Sequence, residues 1–105
     1  MTEWTLTEGA TLVAALSSWA RSRGYLLALY GSTLSGRGRD LDLLAVPWRS
    51  GVDARALVDD LAARLGGTIF ERGPGLMAED SAVIQVGRRF VDIQVRPCFI
   101  PTAPR

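Results

Sequence analysis

Histidine is absent from this chain of 105 residues, and so is lysine. Without histidine, Ser-His-Asp and Cys-His catalysis are excluded, and the commonest zinc ligand is missing. The one cysteine, Cys98, rules out an internal disulfide and any multi-cysteine metal cage. Between Pro97 and Phe99 it reads as a small buried or half-buried hydrophobe. Carboxylates are left as the protein ligands for a metal, and oxygen-only ligation favours magnesium or manganese. All 12 basic residues are arginine, so a phosphate contact must use the planar guanidinium or backbone amides. A net charge of +1 supplies no basic stripe, so broad nonspecific nucleic-acid binding is not expected. No run is long and apolar enough to span a bilayer, and no basic region precedes an apolar stretch at the N-terminus. A cytoplasmic protein with no membrane partner is expected.

What is present suits one small globular domain. Apolar residues make up 48% of the chain and charged ones 22%. At this length roughly two-thirds of the unfolded chain's surface is buried on folding, enough for a modest core. The domain is expected over residues 1–96, followed by a proline-rich tail at 97–105. A first helix is expected over about residues 8–23. Thr5 and Glu8 have capping-box spacing, Thr7 is an equally good N-cap, and Gly24 supplies the stop. Leu12, Val13, Leu16, Trp19 and Ala20 make its apolar stripe. Tyr25–Tyr30 is an unbroken apolar run of strand length. A second strand is expected over 40–46, closed by Pro47. A second helix begins at the N-cap Asp53, carries Leu57, Leu61 and Leu65, and stops at Gly66 and Gly67. A short strand over 68–71 follows, then a loop. Strands over 82–86 and 89–95 form a hairpin turning at Gly87 and Arg88. This order implies an α+β fold: a mixed β-sheet with helices packed on one face and a partly open opposite face.

The chemistry concentrates between Leu29 and Val46. Asp40 and Asp42 are two residues apart, so on a strand they leave the same face, with Cα atoms roughly 6.5 Å apart. Carboxylates in an apolar run need a positive partner. Asp92 lies in a similar apolar strand, sharing a face with Phe90 and Gln94 while Val91, Ile93 and Val95 point the other way. A sheet that brought the two strands together would gather three aspartates. Two carboxylates about 4 Å apart repel by roughly 4 kcal/mol at an effective dielectric near 20, and divalent cations reverse that sign. Upstream, Gly31 ends a strand and lets backbone approach a ligand closely. The Ser32 hydroxyl adds a rotatable donor, and Arg37 and Arg39 are near enough in sequence to offset a triphosphate's charge.

Gly31-Ser32, a short spacer, Asp40-Leu41-Asp42 in an apolar strand and a later hydrophobic-Asp92-hydrophobic strand together resemble the polymerase-β-like nucleotidyltransferase superfamily. The likeness is greatest to its small bacterial members, the minimal nucleotidyltransferases. The resemblance implies that Gly31 and Ser32 hold a nucleoside triphosphate and that Asp40, Asp42 and Asp92 bind two magnesium ions. It implies transfer of a nucleoside monophosphate to an acceptor hydroxyl with release of pyrophosphate, Asp92 being the candidate base. In the shortest members the third acid directly follows the second helix, which here would select Glu71. Many active relatives also carry a helical domain for the base and acceptor, and this chain ends before one forms. The resemblance then leads to the expectation of an acceptor site that is incomplete or supplied by another subunit.

Two other classes stay open. One is an antitoxin-type binding module, which in this family is commonly paired with an all-helical HEPN-type toxin; the other is a degenerate fold without activity, kept for homo-oligomerisation or scaffolding. Two familiar phosphate-binding motifs are excluded. The glycine spacing from Gly31 to Gly36 lacks the Walker lysine, since Arg37 and Gly38 follow. A Rossmann turn would lead into a long helix, whereas here a strand follows. Trp48, beside Pro47, reads as packing before base stacking.

Overall fold

A computed structural model describes residues 3–31, 33, 37–38, 40–73 and 79–100, with backbone alone at 37 and 38. The chain opens with a two-residue strand β1 (Trp4–Thr5) and helix α1 (Leu6–Ser22), then β2 (Tyr25–Tyr30), β3 (Arg37–Gly38) and β4 (Asp40–Pro47). Helix α2 (Ala54–Leu65) leads into β5 (Thr68–Gly73), β6 (Asp80–Val86) and β7 (Arg89–Val95). The expected α+β fold is what forms. Five strands make one mixed sheet in the order β2-β4-β7-β6-β5, in which β4 and β7 run parallel and the other neighbours antiparallel.

Local chemistry sets the helix ends. Between the two candidate caps, Thr5 is the one used: its hydroxyl accepts from the Glu8 amide at 3.1 Å, while the Glu8 carboxylate accepts from the Thr5 amide at 3.2 Å. Helix α1 therefore starts two residues earlier than expected. Helix α2 is capped by Asp53, which accepts from Ala56 N at 3.0 Å, and ends on Gly66 in the left-handed region.

Period-two alternation separates the two faces of the sheet. Leu41, Leu43, Ala45, Ile84, Val91, Ile93 and Val95 are fully buried, packed with Leu16, Trp19 and Ala20 of α1 and Leu57, Val58 and Leu61 of α2. Both helices thus cover one face. The opposite face carries Tyr30, Asp40, Asp42, Phe90, Asp92 and Gln94, all half-buried. Among the described residues, no helix is long and apolar enough to cross a membrane.

Polar ties fasten the margins. Trp4 Nε1 donates to Phe90 O at 2.8 Å, and the Arg89 guanidinium lies 3.7 Å from the centre of the Trp4 ring and pairs with Glu8. Arg72, on the helix side of β5, pairs with the buried Asp80 at 3.0 Å and with Asp59, and donates to Arg55 O at 2.9 Å. After β7 the chain continues without regular structure to residue 100, where half-buried Cys98 donates to Arg49 O at 3.3 Å. Residues 101–105 of the expected tail lie outside the described residues.

Candidate functional site

The site follows from strand register. Asp42 faces Asp92 directly across the parallel β4–β7 pair, and Asp40 faces Phe90 two residues earlier. Adjacent strands lie roughly 4.8 Å apart, so the Asp42 and Asp92 side chains leave the same face as immediate neighbours. On the other side of Asp42 stands Tyr30 of β2, in register across the antiparallel pair. Beyond Asp92 the same row continues through Val83 of β6 to Glu71 of β5. The two candidates for the third acid are therefore on one face, but Asp92 adjoins Asp42 while Glu71 stands two strands further out.

The glycine that ends β2 meets the same carboxylate. Gly31 has φ of +81°, and a Cβ built there would overlap Asp42 Oδ2 and lie 2.9 Å from its Cγ. Only a residue without a side chain lets the backbone pass this close to Asp42. Thr33, fully buried two residues later, donates from Oγ1 to Asp40 O at 3.2 Å and so ties this turn to the head of β4. Ser32 and Arg39 lie outside the described residues. Arg37 sits on β3, its backbone opposite Thr5 at the head of α1.

The register also sets the electrostatics of the row. Burial first, then the charges of Asp42 and Asp92, raise the Tyr30 phenol above its ordinary value. Asp92 Oδ1 accepts from Gln94 Nε2 at 3.3 Å, a contact along one face of β7 that orients the carboxylate. Two adjoining depressions flank this row. One of about 340 Å³ is lined by Asp92, Gln94, Ser81, Val83 and Glu71, and one of about 410 Å³ by Asp40, Phe70, Glu71, Val83 and Phe90.

As a donor set, Asp40, Asp42 and Asp92 offer only hard carboxylate oxygens, a chemistry that favours cations such as magnesium or manganese. Among the described residues, no group of three acidic or cysteine side chains is already closed into a metal-holding cluster. The fit is one of chemistry and shared face, with Asp42 and Asp92 adjacent and Asp40 two residues away along β4.

Sequence reasoning missed two features. The first is Phe70, which a bulge between Ile69 and Glu71 turns outward to 55% exposure beside the acids. A register shift leaves no mark in one strand read alone. The second is the Arg72–Asp80 pair behind β5, for which alternation around Asp80 was the available signal. Trp48 stays 45% exposed with the Arg49 guanidinium 5.4 Å from its ring centre, away from the acidic row. The chain matches no known family model and no curated protein.

Proposed function

We propose that this protein is a metal-dependent nucleotidyltransferase of the polymerase-β-like type, moving a nucleoside monophosphate from a nucleoside triphosphate to an acceptor hydroxyl. The observation that supports the reading is the in-register Asp42–Asp92 pair with the Gly31 backbone pressed against it. Acidic neighbours beside a bare stretch of backbone suit a cation-bound polyphosphate better than a structural role, because adjacent carboxylates repel. Asp40, Asp42 and Asp92 would hold magnesium, which when bound offsets the charge of the triphosphate and of the carboxylates.

The chain's own groups have distinct tasks in this reading. The turn at Gly31 admits the polyphosphate close to the backbone, with Ser32 as a donor and Arg37 and Arg39 as counter-charges. Asp92, held by Gln94, takes the proton of the acceptor hydroxyl. The hydroxyl oxygen bonds to the α-phosphorus, the bond from that phosphorus to the bridging oxygen breaks, and pyrophosphate leaves with the electron pair. Asp92 serves as the third acid in preference to Glu71, because Val83 stands between Glu71 and Asp92 in the row.

Incubation with α-labelled nucleoside triphosphates, magnesium and cell lysate tests this. Label should appear on an acceptor, vanish with Asp40→Asn or Asp42→Asn, and largely survive Glu71→Gln. Absence of both transfer and magnesium-dependent triphosphate binding would contradict the reading.

A further inference from the structure

Phe70 and Phe90 come from strands that are not neighbours, yet their rings meet over β6, with centroids 5.7 Å apart and planes inclined by 31°. The bulge at Phe70 is what makes this possible. Ile69 faces Ile84 and Glu71 faces Val83, so Phe70 is the extra residue, turned out of the ladder. A large ring left 55% exposed on an edge strand adds little to the core. It instead forms, with Phe90, Val83, Asp40 and Glu71, the wall of the depression of about 410 Å³.

This wall stands at a definite distance from the Gly31 turn. From β2 to β7 is two strand spacings and to β6 three, roughly 10–14 Å. Asp42 of β4 lies in between, and Asp92 stands two residues from Phe90 on β7. A ligand with its outer phosphates at the turn, its α-phosphate beside the aspartates, and a sugar and flat ring beyond them spans the same path. The carboxylate of Glu71 at the rim can accept from ring N–H and amino groups.

We infer that the Phe70–Phe90 pair is a stacking platform for a nucleobase. The inference deepens the transferase reading and rests on it for the position of the phosphates. The base belongs to the donor nucleotide or to a nucleotide acceptor; stacking on an aromatic face is the shared chemistry.

Calorimetric titration with magnesium and inorganic triphosphate, ATP or AMP, using wild type, Phe70→Leu and Phe70→Trp, decides it. Leucine keeps the apolar contact and removes the π-face, and tryptophan restores the face; Phe70 is exposed enough for both variants to fold. With a donor base, Phe70→Leu weakens ATP about 5- to 150-fold, leaves triphosphate unchanged, and Phe70→Trp recovers the loss. With an acceptor base, the same pattern falls on AMP and spares ATP. Triphosphate binding with no nucleotide affected by Phe70→Leu overturns the platform and leaves the transferase reading standing. Phe70-dependent AMP binding without triphosphate binding does the reverse. No binding of any of the three overturns both.

Discussion

Replacing Gly31 by alanine probes the close approach on which the site depends, and its cost divides into two parts. The first is the backbone: at φ +81° an L-residue sits in the left-handed region, at about 1–2 kcal/mol. The second is the contact with Asp42, whose carboxylate must leave its position to admit the methyl group, at about 0.5–1.5 kcal/mol for the displaced rotamer. The sum is about 1.5–3.5 kcal/mol. Gly51 separates the two parts, because it has φ of +74° and a Cβ there meets nothing within 4 Å. Gly51→Ala should carry the backbone cost alone. Urea unfolding of both variants, with unchanged slope, should place Gly31→Ala below Gly51→Ala by about 1 kcal/mol. Magnesium-dependent triphosphate binding should be lost in Gly31→Ala and intact in Gly51→Ala. Equal destabilisation, together with undiminished triphosphate binding by Gly31→Ala, would refute the reasoning.

Four other outcomes are expected. Asp92→Asn keeps the acceptor for Gln94 but removes the proton acceptor, so single-turnover transfer should slow by about 10²- to 10⁴-fold with the fold intact by circular dichroism. Burial and the charges of Asp42 and Asp92 raise the Tyr30 phenol, and its phenolate step at 295 nm is assigned by its loss in Tyr30→Phe. That step should move to lower pH in Asp92→Asn, because one of the charges opposing phenolate is removed; an unmoved step would argue against the register. Asp60 accepts from the Trp19 indole and pairs with Arg64 and Arg23, which hold its carboxyl below the usual range. Its contribution should be complete above about pH 4 and lost as the pH falls through the depressed folded value, so Asp60→Asn should flatten the acid limb of urea midpoints measured from pH 7 to 2. Arg72→Ala leaves buried Asp80 without its guanidinium and should destabilise the protein by about 3 kcal/mol in the same assay.

Much of the fold was legible because local signals agreed. The run Tyr25–Tyr30 is a strand with those bounds, and Asp53 and Gly66 bracket α2 as capping chemistry requires. Alternation alone put Asp40, Asp42 and Asp92 on the non-core side of their strands, since Leu41, Leu43, Val91 and Ile93 had to be buried. The neighbour relation was not legible. Parallel pairing of β4 with β7 joins residues 50 positions apart, and period two fixes a face without naming the adjacent strand. The short β1–β3 ribbon was invisible for another reason: two residues carry no periodicity, and what fixes it is tertiary, the Trp4 indole bonded to Phe90 O. The bulge that exposes Phe70 likewise depends on how β5 meets β6.

Titration with Mn²⁺, read as paramagnetic broadening of assigned backbone amides, asks whether the acids of β4 and β7 and the turn at Gly31 bind a cation together. Amides of Gly31, Asp42 and Asp92 should broaden first and at the same metal concentration, and Asp42→Asn should abolish the effect at all three. Broadening confined to the acids around α2, such as Asp53, Asp59 and Glu79, or none at Gly31 and Asp92, would contradict a shared cation site.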